Sequence, residues 1–151
     1  MIDEKNNSLG KVSHKEMREK NLWHRGAIIL VFNSKDDFLI QKRVTGKAIY
    51  PGYYASGAGG CVSFKESYLD AAKRELYEEL GIKNVELKFL FDFKYQDEQT
   101  KGISKVYSCV YDGKVTIQES EVEEYLWIPL VEVPNFIENN LYCPDDKLVL
   151  K

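Results

Sequence analysis

The chain has 151 residues, 44% of them hydrophobic, with 24 acids against 21 lysines and arginines for a formal net charge of -3. That length suits one domain, and the apolar share is enough for a core, which excludes the disordered class. The charge excludes a strongly basic nucleic-acid binder, and a polyanionic ligand would need a local remedy for the negative balance.

Residues 1–12 are polar and are expected to be loose. Residues 13–20 suit a short helix with Ser13 as its N-cap. A continuous run at 26–32, rich in Ile, Leu and Val, predicts a buried strand. A turn at 33–37 and a second apolar run at 38–43 predict a hairpin. Pro51-Gly52 punctuates a tyrosine-rich stretch, and 55–60 is small and glycine-rich. Residues 67–80 predict a helix whose apolar face is Leu69, Ala72, Leu76 and Leu80, with Gly81 as its C-cap. Strands are expected at 85–95, 106–111 and 125–128, and a last helix over 130–136 despite Pro134. Strands interleaved with few helices predict an α/β domain with a mixed sheet, one unit over 1–151.

The three cysteines, Cys61, Cys109 and Cys143, are odd in number and follow no framework spacing, which suits a reducing compartment. The start of the chain has no apolar signal core, and the run at 27–32 is far shorter than a bilayer span. A soluble cytoplasmic protein is expected, without membrane or nucleic-acid polymer as partner.

The chemistry concentrates at residues 60–82. On the predicted helix Glu75, Glu78 and Glu79 fall within an arc of roughly 100°. Like charges at that spacing cost a bare helix a few tenths of a kcal/mol per pair. A hard divalent cation would remove the repulsion, because Mg²⁺ takes oxygen ligands. Arg74 can pair with a neighbouring carboxylate and hold it in one rotamer. A solvated acidic face is the simpler account of three glutamates alone. It leaves Gly60, Glu66, Arg74, Leu76, Gly81 and Ile82 unexplained at their fixed offsets. Chance would produce the whole set roughly once in 10⁷ sequences of average composition.

That set reads Gly-x5-Glu-x7-Arg-Glu-(aliphatic)-x-Glu-Glu-x-Gly-(aliphatic), and it resembles the Nudix box at every defining position. The resemblance extends over residues 22–127. It implies an α/β/α sandwich around a mixed β-sheet. It also implies Mg²⁺- or Mn²⁺-dependent hydrolysis of a nucleoside diphosphate derivative, a small-molecule substrate. By the resemblance, Glu75, Glu78 and Glu79 bind metal or activate water, and Arg74 orients a glutamate. The carbonyl of Gly59 adds a metal ligand. Gly60, Glu66 and Gly81 shape the loop–helix junction, with Glu66 also able to reach a metal through water. A distal acid six residues before a tryptophan is common in such proteins, and Glu121 stands so before Trp127. The alternative for Glu121 is plain solvation in an acidic loop with Glu119, Glu123 and Glu124. A homodimer is a common state among these proteins, although no residue here points to an interface.

Leu22-Trp23-His24-Arg25, then Gln41-Lys42-Arg43 with Lys47 and Pro51-Gly52, is similar to the YfcD-type branch, a relative of isopentenyl-diphosphate isomerase. That relation makes Arg43 and Lys47 candidates for diphosphate contact; an ordinary charged strand edge is the alternative. The isomerase's own chemistry does not carry over. Its catalytic cysteine maps onto Gly59, and Cys61 stands where it has a metal-binding histidine. Its other ligands map onto Met17, Ile103 and Lys105, leaving His24 alone. Hydrolysis is therefore expected over double-bond isomerisation. A non-catalytic nucleotide sensor is the remaining alternative, and the intact glutamate set speaks against it.

Overall fold

The computed structural model describes residues 1–46 and 50–150. Its centre is β1 (Trp23–Phe32), which runs parallel to β6 (Lys101–Val110) along its whole length. On its other edge β1 pairs antiparallel with β4 (Ala58–Cys61), from Gly26↔Cys61 to Ile29↔Ala58. Being covered on both faces explains the unbroken apolar run. Ala27, Ile29 and Val31 join one buried cluster, while Ile28 and Leu30 join another.

The expected hairpin forms but opens at once. β1 and β2 (Asp37–Arg43) share a single pair, Phe32↔Phe38. β2 then pairs with β7 (Val122–Pro129) on one edge and β3 (Tyr54–Ser56) on the other. The wedge is Gly57, between β3 and β4. It has φ +49°, and a Cβ there would lie 1.9 Å from the carbonyl oxygen of Ile29. Only glycine lets the backbone cross so close. Strands β3 and β4 occupy the stretch that the sequence marks only as small and glycine-rich. The last strand, β5 (Lys88–Gln96), pairs antiparallel with β6 and forms the sheet's edge.

Helix α2 (Tyr68–Leu80) covers one face. The Ser67 hydroxyl accepts from the Asp70 N–H, and Gly81 caps the other end in the left-handed region, φ +68°. Ala71, Ala72, Leu76 and Leu80 are buried, and each buried leucine contributes about 1.5–3 kcal/mol. Leu69, expected on this face, is instead 40% exposed. It lies in the first turn, where Ala71 takes the inward position. The opposite face is covered by α3 (Val133–Asn139) and α4 (Pro144–Val149), through Val133, Tyr142 and Val149. Pro134 is tolerated because it lies in the first turn of α3, where no backbone donor is needed. The layers make an α/β/α sandwich around a mixed seven-stranded sheet.

The polar start, expected to be loose, makes contacts with β1. Ile2 is buried and its N–H donates to the Trp23 carbonyl. Arg25 donates to the side-chain and backbone oxygens of Asn6 at 2.8 and 3.1 Å. Helix α1 (His14–Glu19) follows, with the Ser13 hydroxyl accepting from Glu16 N–H as expected.

Candidate active site

Strand β4 carries Gly59 and Gly60, and α2 carries the glutamates. Both elements pack against β1, so a cavity of about 400 Å³ opens at the β1 N-terminal end of the sheet. Its walls include Gly59, Gly60, Arg74, Glu75, Glu78, Glu79, Glu121 and Arg43. Glu121 arrives from another part of the chain. The β2–β7 ladder ends at Arg43↔Val122, which sets Glu121 beside the Arg43 end of β2. Lys47, the second phosphate candidate, lies outside the described residues.

Arg74 organises the carboxylates. Its Nε and one terminal nitrogen donate to the two oxygens of Glu66 at 2.9 and 3.0 Å. The other terminal nitrogen donates to Glu75 at 2.7 Å and Glu78 at 3.3 Å. A further bond at 3.0 Å reaches the Cys61 carbonyl and ties the helix to β4. The hydrogen bond from Arg74 holds the Glu66 carboxyl below its ordinary range. The same pairing raises the guanidinium's own value.

Glu79 is handled differently. It is 5% exposed, and one of its oxygens accepts from the Gly59 N–H at 2.9 Å and the Gln41 amide at 3.2 Å. Burying a carboxylate is costly without such donors. Gln41, itself 4% exposed, also donates to the Gly57 carbonyl at 2.7 Å. Sequence reasoning missed Gln41 as a site residue. The available signal was one amide directly after the apolar Phe38-Leu39-Ile40, in a strand buried on both faces.

Gly60 is required by proximity. A Cβ there would lie 2.4 Å from the Glu75 carboxyl carbon. Gly59 would meet the Ala27 carbonyl at 2.9 Å. Gly81 would meet Thr116 at 3.0 Å and already has a positive φ.

The donor set is all oxygen, which suits a hard divalent cation. Among the described residues no group of three His, Cys, Asp or Glu side chains stands already arranged as a metal cage. Arg74 shares the carboxylate oxygens of Glu75 and Glu78, which accounts for that spacing. Of the positions that relate to isomerase chemistry, Met17, His24, Gly59 and Cys61 line the cavity. Lys105 is instead paired with Asp92 at 2.8 Å. The three cysteines are free thiols, and burial pushes Cys109 up to about 11.

Two further groups approach the cavity unannounced by sequence. Asp97 accepts from the hydroxyls of Tyr50 and Tyr95 and from the N–H groups of Gln99 and Thr100. This fixes the β5–β6 turn, whose Gln99 and Thr100 line the wall. Asp145 and Asp146, at the start of α4, line an adjoining cavity of about 170 Å³. Burial raises both carboxyls above their ordinary range. No described helix is long and apolar enough to cross a membrane.

Comparison with known proteins agrees with this geometry. The NUDIX domain family matches residues 22–146. An uncharacterized Nudix hydrolase of Pseudomonas aeruginosa is 36% identical over 150 residues, covering 99% of this chain and 89% of that protein. The uncharacterized Nudix hydrolase YfcD of Escherichia coli is 33% identical over 133 residues, covering 88% and 74%. An isopentenyl-diphosphate Delta-isomerase of Aromatoleum aromaticum is 28% identical over 138 residues, covering 88% and 72%. The crystal structure of DR0079 from Deinococcus radiodurans superimposes with a TM-score of 0.84 at 20% identity, covering 99% and 94%, a likeness of fold. Nudix hydrolases as a family act on pyrophosphate linkages and generally use divalent metal ions. The chain belongs to the Nudix family, and its relatives place it among the YfcD-like Nudix hydrolases.

Proposed function

We propose that the protein hydrolyses the pyrophosphate linkage of a nucleoside diphosphate derivative, with Glu75, Glu78 and Glu79 holding Mg²⁺ or Mn²⁺. The supporting observation is the convergence of Gly59, Glu75, Glu78, Glu79, Glu121 and Arg43 on one cavity. The bound ion supplies charge neutralisation of the diphosphate and a water of lowered pKa.

The chain's own residues do the rest. Arg74, anchored by Glu66 and the Cys61 carbonyl, fixes the rotamers of Glu75 and Glu78. Gly59 and Gln41 hold Glu79 by one oxygen, which orients its carboxylate plane. The Gly59 carbonyl would add a neutral oxygen to the residues that hold the ion. Arg43 supplies positive charge for the diphosphate oxygens. A glutamate, with Glu78 and Glu121 as the candidates, accepts the water proton. Attack in line at phosphorus then expels a phosphate leaving group without a covalent intermediate.

The experiment is a screen of nucleoside triphosphates, nucleotide sugars, dinucleoside polyphosphates, CoA and isoprenoid diphosphates with Mg²⁺ and Mn²⁺. Turnover of at least one member is expected. It should vanish with EDTA and fall at least about 100-fold in Glu78→Gln. No turnover of any member while Mn²⁺ still binds would overturn the reading.

A further inference from the structure

A second cavity, of about 380 Å³, adjoins the first and has the opposite charge. Met17, His24 and Cys61 line both. The first cavity carries Glu75, Glu78, Glu79 and Glu121. Among the described residues no Asp or Glu lines the second, whose charged side chains are Lys11, Arg25 and Lys65. The rest of its wall is largely apolar, with Ile2, Val12, Met17, Val62 and Phe64. The chemistry assigned to the glutamates uses none of these residues.

Two segments build this cavity. The start of the chain forms one wall, held by the Ile2 N–H to the Trp23 carbonyl and the Leu9 N–H to the Met1 carbonyl. The turn between β4 and α2 forms the other. There the Ser63 N–H donates to Glu66 at 3.0 Å, and Arg74 grips the same carboxylate. The guanidinium that orders the glutamates therefore fixes this wall too. Lys65 sits in the turn at φ +68°, a left-handed conformation that glycine adopts without strain. A lysine at such a position sets a cation where glycine would be the easier fit. Its ammonium lies 5.6 Å from the centre of the Phe64 ring, which is 48% exposed. Arg25 is engaged by Asn6. Lys11 and Lys65 form no ion pair among the described residues.

Apolar walls with two cations that no acid neutralises suit an amphiphilic anion. We propose that this cavity holds the part of the substrate beyond the diphosphate, an apolar body carrying a further anionic group for Lys11 and Lys65. The inference rests on the hydrolase reading, which sets the diphosphate in the adjoining cavity. It adds a substrate class to that reading: diphosphates whose second half is apolar and itself charged, in preference to neutral sugars.

Two fluorescent probes test the site without hydrolysis. Anilinonaphthalene sulfonate should bind the full chain at a single site. Phenylnaphthylamine, the same ring system without the sulfonate, should bind at least about tenfold more weakly. Lys11→Glu with Lys65→Glu should abolish that difference. Phe64→Ala should weaken both probes, and melts that match wild type separate lost binding from lost fold. The sulfonate probe should also compete with the panel substrate that is hydrolysed fastest, with an inhibition constant raised at least about tenfold in the double lysine variant. Equal binding of the two probes overturns the proposal. So does a sulfonate affinity indifferent to both lysines, or a saturated site without inhibition. A wild type that hydrolyses no panel member removes the enzymatic reading and the occupant with it, while the probe titrations still decide whether the cavity is an anion site.

Discussion

Alanine at Gly60 separates the needs of the fold from those of the reaction. The added Cβ would lie 2.4 Å from the Glu75 carboxyl carbon and 2.5 and 2.7 Å from its oxygens, against an ordinary contact of at least 3.4 Å. Glu75 must therefore retreat by about 1 Å, the difference between those contact distances. The obstructing group is the tip of a side chain, so the fold should lose only about 1 kcal/mol. For a chain of this size that lowers the melting temperature by about 2–4 °C. The reaction should suffer far more. A misplacement of about 1 Å at a ligand or catalytic group can cost on the order of 100-fold in rate. Gly59→Ala is the contrasting case. Its Cβ would meet the Ala27 backbone at 2.9 Å, so the sheet must give and stability should fall further. Phosphate release at saturating Mg²⁺, with thermal melts of both variants, reads the two effects. A Gly60→Ala enzyme within about threefold of wild type in kcat, with an unchanged melt, would refute the reasoning.

Glu66→Gln should make stability less sensitive to acid. The folded carboxyl titrates below its ordinary value of 4.5, so its contribution is complete above that value and is lost as pH falls through the lower folded one. Urea titrations between pH 3 and 7 should therefore show wild type and variant converging at the acid end. Asp146→Asn should act with the opposite sign. Burial raises the Asp146 carboxyl well above 3.8, so ionisation costs stability as pH rises from the unfolded value towards the folded one. The amide oxygen can still accept from Ser56 N–H, now 2.8 Å from the carboxylate, so melts at pH 7 should show no loss. Gln41→Leu removes the amide donor from the Gly57 carbonyl and from the Glu79 oxygen that Gly59 N–H still holds. It should cost about 1–3 kcal/mol and weaken Mn²⁺ binding measured by electron paramagnetic resonance.

The site's inner helix was legible because its chemistry is local. Glu75, Glu78 and Glu79 share a helix face, and periodicity alone places them together. The two-sided burial of β1 was equally visible in its unbroken apolar run. What sequence could not show depends on pairing between distant segments. Gln41 reaches Glu79 only because Gly57 lets β3 and β4 part. Spacing to Trp127 marks Glu121, while the β2–β7 register that brings it to the cavity is not visible in the chain. Asp145 and Asp146 carry no local signal, and meet the adjoining cavity only once α4 is packed against the sheet. Leu69 failed for a simpler reason: helical period marks a stripe, but in the first turn of α2 it is Ala71, not Leu69, that is turned into the core.

Arg74 has a consequence for how the protein matures. A helix bearing three clustered carboxylates repels itself, and a protein that relied on a cation to relieve this would fold only when loaded, as small zinc modules do. Here the guanidinium is an internal counter-ion, built into the same helix and already bonded to Glu66, Glu75 and Glu78. Such a counter-ion would leave assembly of the polypeptide independent of the supply of metal. If the site takes a cation as proposed, that ion has only to compete with Arg74 for two carboxylates rather than organise a chain.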